Sequence, residues 1–308
     1  MLKNLQAGQK MCQAVLVKVQ KIATSSKGSL FARGALEDNS GVLPFICFEE
    51  SLVRKMQQLD GVTAFMVGGD VDINKFSDDM SLQLIVKRFD NLVPDDDISN
   101  LVPHGDFDVK AYENKLANFM NAVKTPTLRQ LLKNIFSGET YEAFVRNPAG
   151  MKMHHAYIGG LLQHSVDVCD LALGMAERVE GVDKDLVITG ALLHDIGKLR
   201  EISADLGFPY TSTGRFMGHI AMGALMVQEA AAKSKLPARS LEQLQHIILS
   251  HHGDNEKGSP VVCAMREAFI VHYADELNAI MNQFEHCEGK SAWEYNRMLG
   301  RNILVKEL

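Results

Sequence analysis

The sequence predicts a chain of two unlike parts: a five-stranded β barrel over about residues 1–90, a linker over 91–108, and an all-α region over 109–308. Three observations carry this. Short β-like segments separated by turn residues fill the first part, a Pro- and Asp-bearing stretch without periodicity follows, and from Val109 apolar residues recur at helical spacing. At 308 residues and 46% apolar, the chain can bury a substantial core and is long enough for two domains.

In the first part the strand candidates are Cys12–Ile22, Leu30–Leu36, Val42–Phe48, Thr63–Ile73 and Leu82–Arg88. Turn chemistry at Ser25–Gly28, Asp38–Gly41 and Ser77–Asp79 punctuates them. Between the third and fourth, Leu52, Val53, Met56 and Leu59 recur at helical spacing, so the order is βββαββ. That is the order of an OB-fold barrel, an architecture that commonly binds single-stranded nucleic acid. Gly68-Gly69 lacks the spacing of a phosphate loop and reads as a bulge or turn.

Alternation along the second strand puts Leu30, Ala32, Gly34 and Leu36 on one face and Phe31, Arg33 and Ala35 on the other. With the first face inward, Phe31 points out beside Arg33, which suits base stacking, and Lys18, Lys21 and Lys27 can follow phosphates. A partner subunit or the second domain could cover Phe31 instead.

The linker, with its run Asp95-Asp96-Asp97, reads as a solvated connector. Helices are expected at 109–122, 126–136, 139–146, 151–179, 184–195, 218–233, 238–250 and 260–286, with a non-helical insert over about 199–217 whose Phe208–Gly214 stretch suits a hairpin or a loop near a metal site. Met222 and Met226 read as core filler.

The formal charge of −6 gives no global footprint for nucleic acid, so a polyanion would need a local basic patch or a metal. Cys12, Cys47, Cys169, Cys263 and Cys287 form no CxxC pair and read as reduced core residues. No apolar run is long enough to span a bilayer and the N-terminus lacks a signal pattern, so a cytoplasmic location without membrane partners is expected.

The chemistry gathers around Gly190–Glu201, where His194 and Asp195 stand side by side at the end of an apolar helical run. Neutral imidazole and carboxylate are both good ligands for divalent metals. His164 precedes the pair; His219, His251, His252 and Asp275 follow it, each in or beside a helical segment. Asp275 sits in a stretch otherwise apolar enough to be core, where an unpaired carboxylate is expensive. Gly159 and Gly160, just before His164, would let another helix approach closely. No Ser-His-Asp or Cys-His arrangement competes with this series.

The order H…HD…H…HH…D resembles the HD superfamily of metal-dependent phosphohydrolases, in its two-metal form. The resemblance implies one ion held by His164, His194, Asp195 and Asp275, and a second held by His219, His251 and His252, with Asp195 bridging. Two such ions activate water and neutralise a phosphoryl group under in-line attack. Lys198, one turn beyond His194, is expected to bind a non-bridging phosphate oxygen. His154 and His155 are placed at the substrate mouth or behind the ligands, and His272 behind Asp275, while His104, His246 and His286 have no supporting context.

Taken whole, the chain resembles the YhaM family of bacterial 3′→5′ exoribonucleases: an OB-fold, a linker and an HD domain. The matching stretches are His154–His164, Gly190–Lys198, Gly218–Ile220, Ser250–Gly253 and Ala274–Leu277, whereas the barrel matches by architecture. The resemblance implies single-stranded RNA, and in some members single-stranded DNA, degraded to nucleoside monophosphates. Manganese is the favoured ion, with iron, magnesium or cobalt as alternatives. Exposed helical faces and Phe31 leave room for a homo-oligomer.

Two other functions compete with this one. A phosphohydrolase of small nucleotides or cyclic dinucleotides would not need a strand-holding barrel, and the cyclic-dinucleotide branch usually has Gly-Tyr-Pro after its dyad where this chain has Ile196-Gly197-Lys198. A non-catalytic single-strand-binding protein would bind without turnover and has no need to keep every ligand.

Overall fold

The structure, a computed structural model, describes residues 1–308 apart from 25–27, 60, 75–80, 94–95, 97–99, 102–103, 152–154, 206, 286–291, 297–298 and 307–308. Outside the described residues therefore lie Lys27, His154, Cys287, His286, Asp95 and Asp97, with the Ser77–Asp79 turn and all but Gly28 of the Ser25–Gly28 turn. The chain separates into two compact units, Met1–His104 and Gly105–Leu308.

The first unit runs β1 (Lys10–Thr24), β2 (Leu30–Asp38), β3 (Gly41–Cys47), α1 (Glu50–Met56), β4 (Thr63–Ile73) and β5 (Leu82–Asn91). The strands close into a barrel in the order β1-β2-β3-β5-β4, as an OB-like fold requires. Only the β3–β5 pair is parallel among these neighbours. β1 pairs with β4 through Lys10–Val17 and with β2 through Leu16–Thr24, and a bulge between Val19 and Lys21 bends it along the barrel. Gly68-Gly69 is a second bulge, where β4 meets β5.

Alternation fills the barrel as expected: Ala32 and Leu36 point inward with Val15, Val17, Phe45, Val67, Leu84 and Val86, and α1 adds Leu52, Val53 and Met56 to the same core. Cys47 is buried in this core, whereas Cys12 lies on the exposed side of β1, because its neighbour Met11 takes the inward position. The connector also departs from the expected solvated form. Its start completes β5, Asn100 accepts from the Asn39 amide (2.7 Å) and donates to the Ala14 carbonyl (2.8 Å), and Leu101 is buried.

The second unit contains α2 (Val109–Ala122), α3 (Pro126–Ile135), α4 (Gly138–Arg146), α5 (Gly160–Ala176), α6 (Lys184–Leu193), α7 (Lys198–Glu201), α8 (Ser212–Ser234), α9 (Ala238–Ser250) and α10 (Arg266–Glu285). Asp108, Asp183 and Thr211 cap α2, α6 and α8 with side-chain oxygens, and Pro126 sits at the start of α3. Cys169, Cys263 and Met222 are buried here, and Met226 packs at the edge of the core.

Three expectations need correction. The helix expected from 151 begins only at Gly160, because His155 and Gly159 adopt left-handed backbone (φ 51° and 83°). The region 199–217 is non-helical only in its middle, where Ile202 pairs with Tyr210; α7 takes its start and α8 begins at Ser212, six residues before the kink at Gly218 (φ 69°, ψ 157°). The unit is also not all helical: β6 (Trp293–Asn296) and β7 (Arg301–Leu304) form a short antiparallel hairpin whose four-residue strands are too brief to give a periodic signal.

In the barrel, one buried carboxylate ties β2 to the N-terminus. Asp38 accepts from the amides of Leu2 and Ser40 (both 2.8 Å), the Ser40 hydroxyl (2.5 Å) and Gln13 Nε2 (3.1 Å). Burial pushes this carboxyl up, but the donors of Ser40, Leu2 and Gln13 outweigh it and hold it below the usual aspartate range. A group whose folded pKa lies below its unfolded value of about 3.9 stabilises fully above that value and loses its contribution as pH falls through the folded one. Asp38→Ala is expected to cost about 1–3 kcal/mol at pH 7. The gap between the two proteins in denaturant unfolding should narrow below pH ~4, and a gap that stays constant to pH ~2 would refute the assignment.

Candidate metal centre

α6 is buried along Leu186–Leu193 and apolar there apart from Thr189, whose hydroxyl donates to the Asp185 carbonyl (2.7 Å), so its polar end must be matched by what lies beyond it. That end is His194, followed by Asp195 in a tight turn into α7. α9 ends in the same way, on His251 followed by His252. The last carbonyls of a helix lack intrahelical donors, and here an imidazole supplies one: His194 Nδ1 donates to Ala191 O and His251 Nδ1 to Ile248 O, both at 2.7 Å. Each bond fixes the tautomer. The hydrogen is on Nδ1, so Nε2 presents a bare lone pair.

The other imidazoles are held similarly. His252 Nδ1 donates to Lys257 O (3.0 Å), His219 Nδ1 lies 3.0 Å from Glu201 Oε2, and His164 Nδ1 lies 2.8 Å from Asn278 Oδ1. Gly197 lets α7 and α8 meet behind this cluster, since a Cβ there would overlap the His219 carbonyl. The kink at Gly218 then turns His219 inward, with its amide donating to Glu201 Oε1 (2.9 Å).

The freed Nε2 atoms converge on Asp195. Its Oδ2 is 3.4 Å from both His164 Nε2 and His194 Nε2; its Oδ1 is 3.5 Å from His219 Nε2 and 3.6 Å from His251 Nε2. Asp275 Oδ1 lies 3.2 Å from His164 Nε2. His164, His194 and Asp195 form one group of mutually close donors, and His219, His251 and His252 another, each within 4.8 Å. Asp195 thus faces both.

Two features show that this arrangement fits a cation. The Nε2 atoms of His164 and His194 approach to 3.1 Å, although a lone pair facing a lone pair is repulsive without a proton or metal between. Asp195 Oδ1, His219 Nε2 and His251 Nε2 are buried with no hydrogen-bond partner, at a cost of about 1–3 kcal/mol each. A divalent cation satisfies all three, and the imidazole and carboxylate donors suit manganese, iron, cobalt or zinc.

The electrostatics agree. Burial pushes the Asp195 carboxyl up, but Lys198, His194 and His164 outweigh it and hold it well below the usual range. Asp275 is likewise held down, against burial, by His164 and His194. Burial and the neighbouring His194 push His251 well below the usual histidine value, and burial also lowers His252. His164 goes the other way: burial opposes its charge, yet hydrogen bonds to Asp195 and Asp275 raise it to about 9. Two carboxylates therefore draw positive charge to His164, and metal binding there displaces the proton.

Lys198 Nζ contacts Asp195 Oδ2 at 2.6 Å, at the edge of a cavity of about 330 Å³ that also reaches His252 and Asp275. His155 is buried, its Nε2 3.0 Å from the same Asn278 Oδ1 that holds His164, and its Nδ1 2.7 Å from the Tyr157 hydroxyl. His272 Nδ1 donates to the His251 carbonyl (2.7 Å), whereas His246 accepts the Ala264 amide away from the cluster. Gly159 and Gly160 do not serve a helix crossing. They form the turn into α5, where a Cβ on Gly160 would overlap the His155 carbonyl.

Glu201 and Asn278 were given no role by the sequence, although each orients an imidazole. Glu201 stood in view at the end of the dyad stretch, as a carboxylate one turn beyond Lys198. Asn278 offered no signal beyond its position one turn after Asp275.

On the barrel, the register places Lys21 opposite Arg33 and Ala23 opposite Phe31. The Arg33 guanidinium lies 5.6 Å from the centre of the half-buried Phe31 ring, and Lys18 and Lys21 are exposed. Phe31, Arg33 and Lys21 therefore share the outer face, as alternation requires.

Residues 161–280 match the family model of the HD domain. The helical unit accordingly carries an HD domain, which indicates a metal-dependent phosphohydrolase, and the match takes in His164, the dyad, His219, His251, His252 and Asp275. Among the described residues no helix is long and apolar enough to cross a membrane.

Added Mn²⁺ is expected to raise the unfolding temperature, and metal at about 100 times Kd corresponds to about 2.7 kcal/mol. Asp195→Ala should lose this shift and the metal detected by elemental analysis. Glu201→Ala, which releases His219 without removing a ligand, should weaken metal binding about 10–100-fold. Full metal content and an unaltered shift in Asp195→Ala would exclude the cluster as the binding site.

Proposed function

We propose that this protein is a 3′→5′ exoribonuclease, hydrolysing single-stranded RNA, and single-stranded DNA as a second substrate, to nucleoside monophosphates. The observation that supports a nuclease over other phosphohydrolases is the outer face of the barrel, where Phe31, Arg33 and Lys21 adjoin on the same chain as an HD domain. Aromatic rings beside cations hold single strands without regard to sequence. The resemblance to the YhaM family points to the same activity.

In this reading His164, His194, Asp195 and Asp275 would hold one ion, and His219, His251 and His252, which the other oxygen of Asp195 faces, would hold a second. Manganese is the first choice of ion. Bound there, such ions would supply a Lewis acid and lower the pKa of a bound water toward neutrality. Asp195 and Asp275 keep the site charged without a substrate, and the helix-bound imidazoles keep their lone pairs aimed inward. Lys198 shifts from Asp195 toward a non-bridging phosphate oxygen, so that its ammonium follows the charge of the phosphoryl group. The cavity beside it, about 330 Å³, is within the range of small-ligand clefts, consistent with one terminal nucleotide entering at a time. The same volume is what favours the second reading, a phosphohydrolase of free nucleotides.

The decisive test is a time course on 5′-labelled single-stranded RNA with Mn²⁺, with and without chelator. A descending ladder that needs metal and is lost in Asp195→Ala, with RNA binding retained, is the expected result; RNA bound but never shortened would end this reading.

For the barrel, Phe31→Ala is expected to weaken single-strand binding by about 1–3 kcal/mol. Cleavage of a dinucleotide, too short to need the barrel, should hold its wild-type rate. Equal losses on long RNA and dinucleotide would remove Phe31 from the binding face.

A further inference from the structure

The cavity beside Asp195 has a second cationic wall. Lys257 belongs to the short turn after His251-His252-Gly253, and its carbonyl accepts the His252 Nδ1 hydrogen (3.0 Å), so its backbone is anchored to a candidate ligand. Its side chain reaches across to pair with Glu276, the neighbour of Asp275 on α10. Lys257 and Glu276 both line the cavity that reaches Asp195, Lys198, His252 and Asp275.

The two lysines are placed differently. Lys198 is nearly buried against Asp195, deep beside the candidate metal ligands, whereas the Lys257 side chain is half exposed. A phosphoryl group at Asp195 has Lys198 within reach, while the Lys257 side chain in the same cavity is engaged by Glu276 instead. Glu276 poses a complementary problem. A carboxylate in the wall of a cavity that admits a polyanion repels its ligand unless its charge is cancelled, and Lys257 cancels it. Exposed ion pairs of this kind contribute little to stability, so the lysine can exchange its carboxylate for a phosphate at small cost.

We infer that Lys257 binds the phosphate one nucleotide to the 5′ side of the scissile one, and that Glu276 holds this lysine in place until that phosphate arrives. The pair makes the site select a chain with successive phosphates over a lone phosphodiester. This rests on the phosphodiesterase reading above.

The test compares a dinucleotide carrying a 5′-phosphate with the same dinucleotide lacking it, both with Mn²⁺. The bond cut is identical, and only the second phosphate differs. Wild type should show the lower KM for the phosphorylated form, by about tenfold for one charge-assisted contact. In Lys257→Ala that ratio should collapse toward one, with recovery in Lys257→Arg. In Glu276→Gln, where the lysine is released, the ratio should widen. A merely structural ion pair predicts the same direction of change in both variants, and that result, or a wild-type ratio near one, overturns the inference alone. Wild-type protein inert toward both dinucleotides overturns the phosphodiesterase reading and this inference with it.

Discussion

The arrangement of the helical unit follows from the burial of one charge. Asp195 is ionised and almost fully enclosed, and Lys198 is a single ammonium, matched to one of its two oxygens. The other oxygen faces His219 and His251 with no donor. In a low-dielectric interior such a carboxylate is tolerated only with compensating positive charge. Among the described residues, each imidazole of the cluster has its Nδ1 committed to a carbonyl, amide or carboxylate oxygen, so none of them offers that hydrogen to Asp195. What remains is a proton, which His164 is disposed to carry, or a metal. The fold holds that requirement open.

Helix ends meet the requirement cheaply. The C-terminus of a helix carries partial negative charge and unpaired carbonyls, both of which favour a cation nearby. α6 and α9 each end in the cluster, and each uses one of those carbonyls to set the tautomer of the histidine that caps it. The same three-residue reach, Ala191 to His194 and Ile248 to His251, does two jobs: it satisfies an orphan acceptor and it exposes an Nε2 lone pair. Such a site needs rigid helices more than long ones, and α6 is buried from Leu186 onward and capped at its start by Asp183.

How much of this could be read from the sequence depends on the range of the signal. Barrel strands and long helices have local periodicity, and each forms in the stretch where alternation or helical spacing puts it, although α5, α8 and α10 start at other residues than expected. The dyad and the separated histidines were visible because imidazole and carboxylate are conspicuous in apolar helices. What was hidden depends on distant pairing or on a single backbone angle. Glu201 gains meaning only when the hairpin and the Gly218 kink bring His219 back to it, and Asn278 only when α10 packs on α5. The late start of α5 depends on two left-handed residues inside a stretch of helical composition, and the docking of Asn100 on β1 depends on contacts 86 positions apart.

The two candidate sites, one in each unit, are built on unlike principles. The metal cluster is enclosed, fixed by hydrogen bonds to the backbone, and tolerant of few substitutions, since each Nε2 faces a shared volume. The barrel face has Lys21, Arg33 and Phe31 on its outer side, where a side chain can be exchanged without disturbing the strand that carries it. The cavity between metal ligands and solvent is intermediate: Lys198 is committed to Asp195, whereas the Lys257–Glu276 pair is half open and exchangeable. Under the proposed nuclease activity, chemistry on any nucleotide would call for an invariant centre, and selection among polyanions for charge that can be redistributed. The gradient from locked imidazoles to an exposed ion pair separates these two demands within one cavity.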